Sequence, residues 1–173
     1  MDLNRSTATI WAIGLLAAGF ASNLFLTCGS NLVAFGAVAA LTLGLRRGAL
    51  VALGIWLESQ LLGFAVFHYP PAALTVAWGF ALGAGTLLAA AVANAFASRG
   101  GVVAFAAAFS CYEAALAAFS LATGGGLAEF TPAIVGQLLV SNVLVAVAAV
   151  ALHRAIAARQ SPVQRRSSRL RLS

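Results

Sequence analysis

The chain has 173 residues, of which 62% are apolar and only 8% are Asp, Glu, Lys or Arg. An average soluble domain is roughly a quarter charged, and so few charges cannot cover a water-facing surface of this size. This excludes a soluble enzyme, a soluble nucleic-acid-binding domain and a disordered chain, and leaves a polytopic α-helical membrane protein. At about 20 residues per crossing, five or six helices fit the length.

Six apolar segments follow in order. The first runs about Ile10–Phe25 and the second about Asn31–Leu45. The third is Gly48–Phe67, closed by His68-Tyr69-Pro70-Pro71. The fourth is Ala72–Ala97, ended by Ser98-Arg99-Gly100-Gly101. The fifth is Val102–Ala122, ended by Thr123 and three glycines. The sixth is Pro132–Ile156, with Pro132 suited to a first helical turn. Their length and lack of alternation argue for helices over barrel strands. Residues 1–9 form a short N-terminus, 10–157 the six-helix domain, and 158–173 a basic tail. The tail is Ser/Arg-rich and reads as disordered.

Arginine gives the orientation. There are ten Arg, no Lys, four acids and a net charge of +6. Arg5, Arg46, Arg47, Arg99 and the six Arg from Arg154 to Arg171 all fall on one side of a six-crossing chain. Five or seven crossings break that pattern. The positive-inside rule therefore sets both termini in the cytoplasm, in a bacterial inner membrane. In a soluble chain this excess of Arg would suggest nucleic acid. Here it reads as an anchor against anionic lipid, with no nucleic-acid partner. A rival reading takes residues 1–22 as a signal peptide, and Leu24-Phe25-Leu26-Thr27-Cys28 resembles a lipoprotein cleavage site. Bulky Leu26 and Thr27 fit that site poorly, and cleavage would leave five helices with the tail reversed.

Small residues recur at helical spacing. Segment one carries Gly14-x-x-x-Ala18 and Ala17-x-x-x-Ala21, and segment four carries Gly79-x-x-x-Gly83. Such pairs let helix backbones approach closely in lipid. In segment four the glycines read as internal packing. In the terminal segment one, internal packing and a docking face for another subunit both remain open. No internal repeat is visible, so a single-chain inverted-repeat transporter is not favoured.

Polar residues within the apolar segments are few. Glu58 and Glu113 lie mid-segment with no Arg or Lys at their depth, and an acid there is a functional candidate. The plainer reading is a neutral Glu bonded to a nearby Ser or Asn. Trp56, Gln60 and Phe64 share a face of segment three, as do Ser110 and Glu113 in segment five, beside Tyr112. Segment six adds Gln137, Ser141 and Asn142, and segment four adds Trp78. Together these suggest a polar, aromatic-lined cavity, open to the outside, for a small ligand with a planar ring and several hydrogen-bonding groups; a carboxylate beside an aromatic ring also suits a cationic ring. An interfacial belt is the plainer account of Trp11, Tyr69 and Trp78. Walker A, HExxH and Ser/His/Asp sets are missing, and the two His lie on opposite sides. We therefore expect no catalysis, no cofactor and no metal site. Cys28 and Cys111 read as inert.

Six short helices with both ends inside and an outward polar pocket resemble the substrate-binding (S) components of energy-coupling factor vitamin transporters. The stretch Gly44-Leu45-Arg46-Arg47-Gly48-Ala49-Leu50-Val51-Ala52-Leu53 is similar to the Gly/Ala-rich start of helix three in that family. Ala17-x-x-x-Ala21 resembles the stripe by which helix one docks on the transmembrane coupling subunit. The resemblance spans Ile10–Ile156. The first outer loop, Thr27–Ser30, departs from it, being too short for the lid that some members carry. The resemblance implies a non-catalytic binder of a vitamin or precursor, which works with a coupling subunit and ATPases or acts alone. By position its pocket, on helices four to six, would use Trp78, Ser110, Tyr112, Glu113, Gln137 and Asn142. Glu58 and Gln60 join the substrate-binding candidates, and Gly14, Ala17, Ala18 and Ala21 form the docking candidates. Two rivals remain: a small proton- or cation-coupled carrier using Glu58 and Glu113, and an accessory membrane subunit with no small ligand.

Overall fold

A computed structural model describes residues 5–25 and 31–170, with side chains as far as Arg159. Each apolar segment becomes a helix, because helix satisfies its backbone polar groups without water. The elements are α1 (Arg5–Phe25), α2 (Leu32–Leu43), α3 (Leu45–Ala65), α4 (Ala73–Ala95), α5 (Gly101–Ala122) and α6 (Pro132–Leu170). Single 3-10 turns occupy Ala97–Arg99 and Ala128–Phe130. No strand occurs among the described residues.

Five of the six helices are long and apolar enough to cross a membrane. The exception is α2. Its 12 residues rise about 18 Å, against about 30 Å of hydrocarbon in a bilayer. Every residue from Asn31 to Ala40 is buried, so α2 is walled off by protein along most of its length. Its Ala, Gly and Val residues are small enough for neighbours to close in. Gly36, for example, lies against the Thr86 backbone of α4.

The other helices surround α2. The α1–α3 seam sets Gly19 against Ile55 and Leu16 against Gly54. Asn23 adds a hydrogen bond from Nδ2 to the Ile55 carbonyl, 3.3 Å long. α4 packs on α3 and α5, and the ring of Tyr112 covers Gly85. α6 rests chiefly on α2, and its Val145, Ala149 and Val150 join the core cluster that contains Trp11 and Leu15.

Two polar clusters hold α6 in place. At one end Ser141 Oγ donates to Asn31 Oδ1 (2.7 Å), and Asn31 Nδ2 donates to Ser22 Oγ (3.0 Å). Beside them Asn142 Oδ1 accepts the Ala34 N–H at 2.9 Å. At the other end Trp11 Nε1 donates to Thr42 Oγ1 (2.9 Å), and the Trp11 and His153 rings lie 5.2 Å apart. Arg5, Arg46, Arg47, Arg99, Arg154 and Arg159 flank this second end and are all exposed. We call it the arginine end and the opposite one the distal end.

Two boundaries differ from the sequence reading. Segment three was expected to begin at Gly48, but α3 begins at Leu45, with Gly44 alone between it and α2. Gly44 has φ +78°, a conformation that costs glycine little and L residues much. Gly48 then lies directly on the Ala39–Ala40 backbone. Arg46 and Arg47 are thus first-turn residues of α3 and not a loop. At the other extreme, α6 continues past the expected Ile156 to Leu170, into the segment taken as a tail.

Candidate functional site

The site grows from the α3–α4 seam. Gly79 and Gly83 share one face of α4, and the Trp56 indole of α3 lies across that face. Trp56 Nε1 donates to the Gly79 carbonyl at 2.7 Å, and a Cβ on Gly83 would meet ring atoms of Trp56 at 2.7–3.0 Å. The glycine pair of segment four is therefore internal packing, as its spacing suggests. One turn along α3, the Gln60 carboxamide lies over Gly79. Gln60 Nε2 donates to Ser59 Oγ (3.0 Å), and Ser59 Oγ donates to the Trp56 carbonyl (2.7 Å).

Beyond this ladder a cavity of about 130 Å³ opens between α3 and α4 at the distal end. Gln60, Ser59 and Thr75 supply its polar groups, and Phe64, Tyr69 and Trp78 its aromatic walls. Tyr69 reaches it because α3 stops at Ala65 and the chain turns back at His68, which has φ +55°. The Tyr69 N–H then bonds the Gly63 carbonyl at 3.0 Å. Trp78 is held from behind by an edge-on contact with Phe119, centroids 4.9 Å apart.

The expected residues do not meet in one pocket. Gln60 and Trp78 converge at the cavity. That cavity lies in the α3–α4 seam, where the Gly79–Gly83 face receives Trp56 and Gln60 of α3, and not among helices four to six. Tyr112 is 5% exposed within the α2–α4–α5 core, and its buried Oη has no partner among the described residues. Glu113 is half-buried on the flank of α5, and Ser110 is exposed. Asn142 closes the N-terminus of α2 as described. Gln137 is exposed and lines a separate open groove along α6 with Gly136, Val140, Ser141 and Leu144. Glu58 lies one turn beyond Gly54 and so on the α1-facing side of α3, away from Gln60. Its buried Oε2 has no hydrogen-bond partner among the described residues.

The docking candidates Gly14, Ala17, Ala18 and Ala21 are all exposed along α1. Open space surrounds the Cβ position of Gly14. Among the described residues no group of three His, Cys, Asp or Glu could hold a metal. Cys111 is exposed, and Cys28 lies outside the described residues.

Thr75 was missed by the sequence reading. Its spacing of three before Trp78 places both on one helical face, and that signal was available. Tyr69 reads in sequence as an interfacial aromatic: His68-Tyr69-Pro70-Pro71 marks the end of the segment, but not the positive φ at His68 that turns the chain back to the cavity. Comparison with known proteins adds no further guide: no family model matches the chain, and no curated protein or solved structure is significantly similar to it.

Proposed function

We propose that this protein is a membrane-embedded, non-catalytic substrate-binding subunit for uptake of a vitamin or vitamin precursor. In this reading it stands in a bacterial cytoplasmic membrane with six crossings and both termini inside. The distal end then faces outward and the arginine end lies against anionic lipid. The observation that carries the reading is the cavity at the distal end, where Gln60, Ser59 and Thr75 face Phe64, Tyr69 and Trp78. A few hydrogen-bonding groups among aromatic walls is the usual form of a small-molecule site. The exposed stripe Gly14, Ala17, Ala18 and Ala21 supports a second element of the reading. It is the face on which a transmembrane coupling subunit, driven by ATPases, would dock.

The test is mass spectrometry of small molecules released from purified protein. Wild type retains a ligand, Thr75→Phe fills the cavity and loses it, and Thr75→Ser and Gln137→Ala keep it. Retention by Thr75→Phe would sink the cavity as the site. Ala17→Trp should abolish uptake into cells while ligand binding persists; unchanged uptake removes the docking role.

One observation favours the carrier reading instead, namely the unpartnered Glu58 carboxyl oxygen within α3. Uptake that follows an imposed proton gradient in vesicles of the purified protein alone, and is lost in Glu58→Gln, would decide for it.

A further inference from the structure

The chemistry of the cavity narrows the ligand class, in an inference that rests on the binding reading above. No Asp, Glu, Lys, Arg or His lines the cavity. A charged ligand there would lose its hydration without gaining a counter-ion, which is costly even when partly offset by hydrogen bonds. Glu58, the acid of α3, lies on the opposite flank of that helix. The lining therefore disfavours an anion, and it offers a cation only the faces of Phe64, Tyr69 and Trp78.

Size and shape come next. The cavity volume is about 130 Å³, and an apolar cavity of about 150 Å³ holds one benzene. A single ring matches that volume. Phe64, Tyr69 and Trp78 favour a flat ring, since aromatic faces and edges pack best against another planar group.

Gln60 supplies the recognition. Ser59 Oγ donates to the Trp56 carbonyl and accepts from Gln60 Nε2. Gln60 Nε2 is the atom facing Ser59, and the Gln60 carbonyl oxygen lies on the Gly79 side. One N–H of Gln60 is thereby used. Its second N–H and its carbonyl oxygen have no partner among the described residues. They form an adjacent donor and acceptor in one plane. A ligand edge with the complementary acceptor and donor can take both bonds at once, as glutamine does with the edge of adenine.

We propose that the α3–α4 cavity binds a neutral, single-ring, planar compound bearing an adjacent hydrogen-bond acceptor and donor, read edge-on by Gln60. Cyclic imides and aromatic carboxamides have this pattern, and aromatic carboxylates do not.

Nicotinamide and nicotinate make a matched pair of probes, and thymine serves as a ring imide. Their binding is measured by equilibrium dialysis against the full-length protein in lipid nanodiscs. Nicotinamide or thymine should bind saturably, at least about tenfold more tightly than nicotinate. Gln60→Met keeps the length of the side chain and removes both polar groups. It should weaken that binding by about tenfold or more. Gly79→Ala should act in the same direction, because its methyl group displaces the Gln60 carboxamide and leaves the backbone in place. The inference is overturned if nicotinate binds as well as nicotinamide, if neither neutral probe binds, or if Gln60→Met changes nothing. The co-purifying molecule separates failure of the ligand class from failure of the binding site. A charged or multi-ring molecule that Thr75→Phe releases overturns this inference and leaves the binding reading standing. A molecule that Thr75→Phe retains overturns the binding reading itself.

Discussion

Asn142 is a buried polar residue whose hydrogen bonds give it a structural role. The first N–H groups of a helix lack partners within it, and the start of α2 is buried, out of reach of water. Asn142 Oδ1 supplies the acceptor for Ala34, while its Nδ2 donates to the Leu138 carbonyl at 2.9 Å. Sequence shows an Asn deep in an apolar helix but not which buried group it satisfies. Asn142→Ala should therefore lower the unfolding free energy in detergent by about 1–2 kcal/mol, with ligand binding per folded molecule unchanged. Loss of binding with no loss of stability would restore Asn142 to the site. Glu113 poses the opposite question. Its flank of α5 is not part of the cavity lining, so Glu113→Gln should leave nicotinamide binding within about twofold of wild type. A larger loss would move the site towards α5.

The glycines make the same point for whole helices. Spacing alone picks out Gly79-x-x-x-Gly83, yet it cannot say which helix the pair receives. The answer, Trp56 of α3, depends on α2 running through the centre and setting the order of the others. Nor does spacing mark Gly48, whose Cβ position lies 2.5 Å from the Ala40 backbone. What each glycine faces ranks the cost of a methyl group there. At Gly48 the obstacle is backbone, at Gly83 a hydrogen-bonded indole, at Gly79 the movable end of Gln60, and at Gly14 open space. Thermal unfolding in detergent should follow that order. Gly48→Ala should be the most damaging, Gly83→Ala should cost about 1–3 kcal/mol, and Gly14→Ala should be neutral or stabilising by up to about 1 kcal/mol. A destabilised Gly14→Ala would mean that the α1 stripe is already covered by something. The same limit explains α2 itself. Its apolar run was legible in the sequence, but its central position follows from packing, which only the other five helices reveal.

For the molecule as a whole, arginine is the most legible feature, and the helix termini strengthen its meaning. Arg46 and Arg47 stand in the first turn of α3, where the helix dipole disfavours a cation by some tenths of a kcal/mol. Local helix energetics would not select Arg there. Retention at the membrane face through which the other Arg also emerge gives a sufficient reason. Arg99 is at the same end, with its guanidinium 4.7 Å from the Phe96 ring centroid, a contact it can keep at an interface. The arginine end should thus be cytoplasmic. A Cys-free variant (Cys28→Ser, Cys111→Ser) carrying either Ser98→Cys or Thr123→Cys puts a single thiol at one end. A membrane-impermeant maleimide should label Thr123→Cys in intact cells and Ser98→Cys only after permeabilisation. The reverse pattern would turn the α3–α4 cavity towards the cytoplasm. The uptake reading would then fail even if every binding measurement succeeded, because a cavity walled by Tyr69 and Trp78 at the distal end can collect an external nutrient only if that end faces outward.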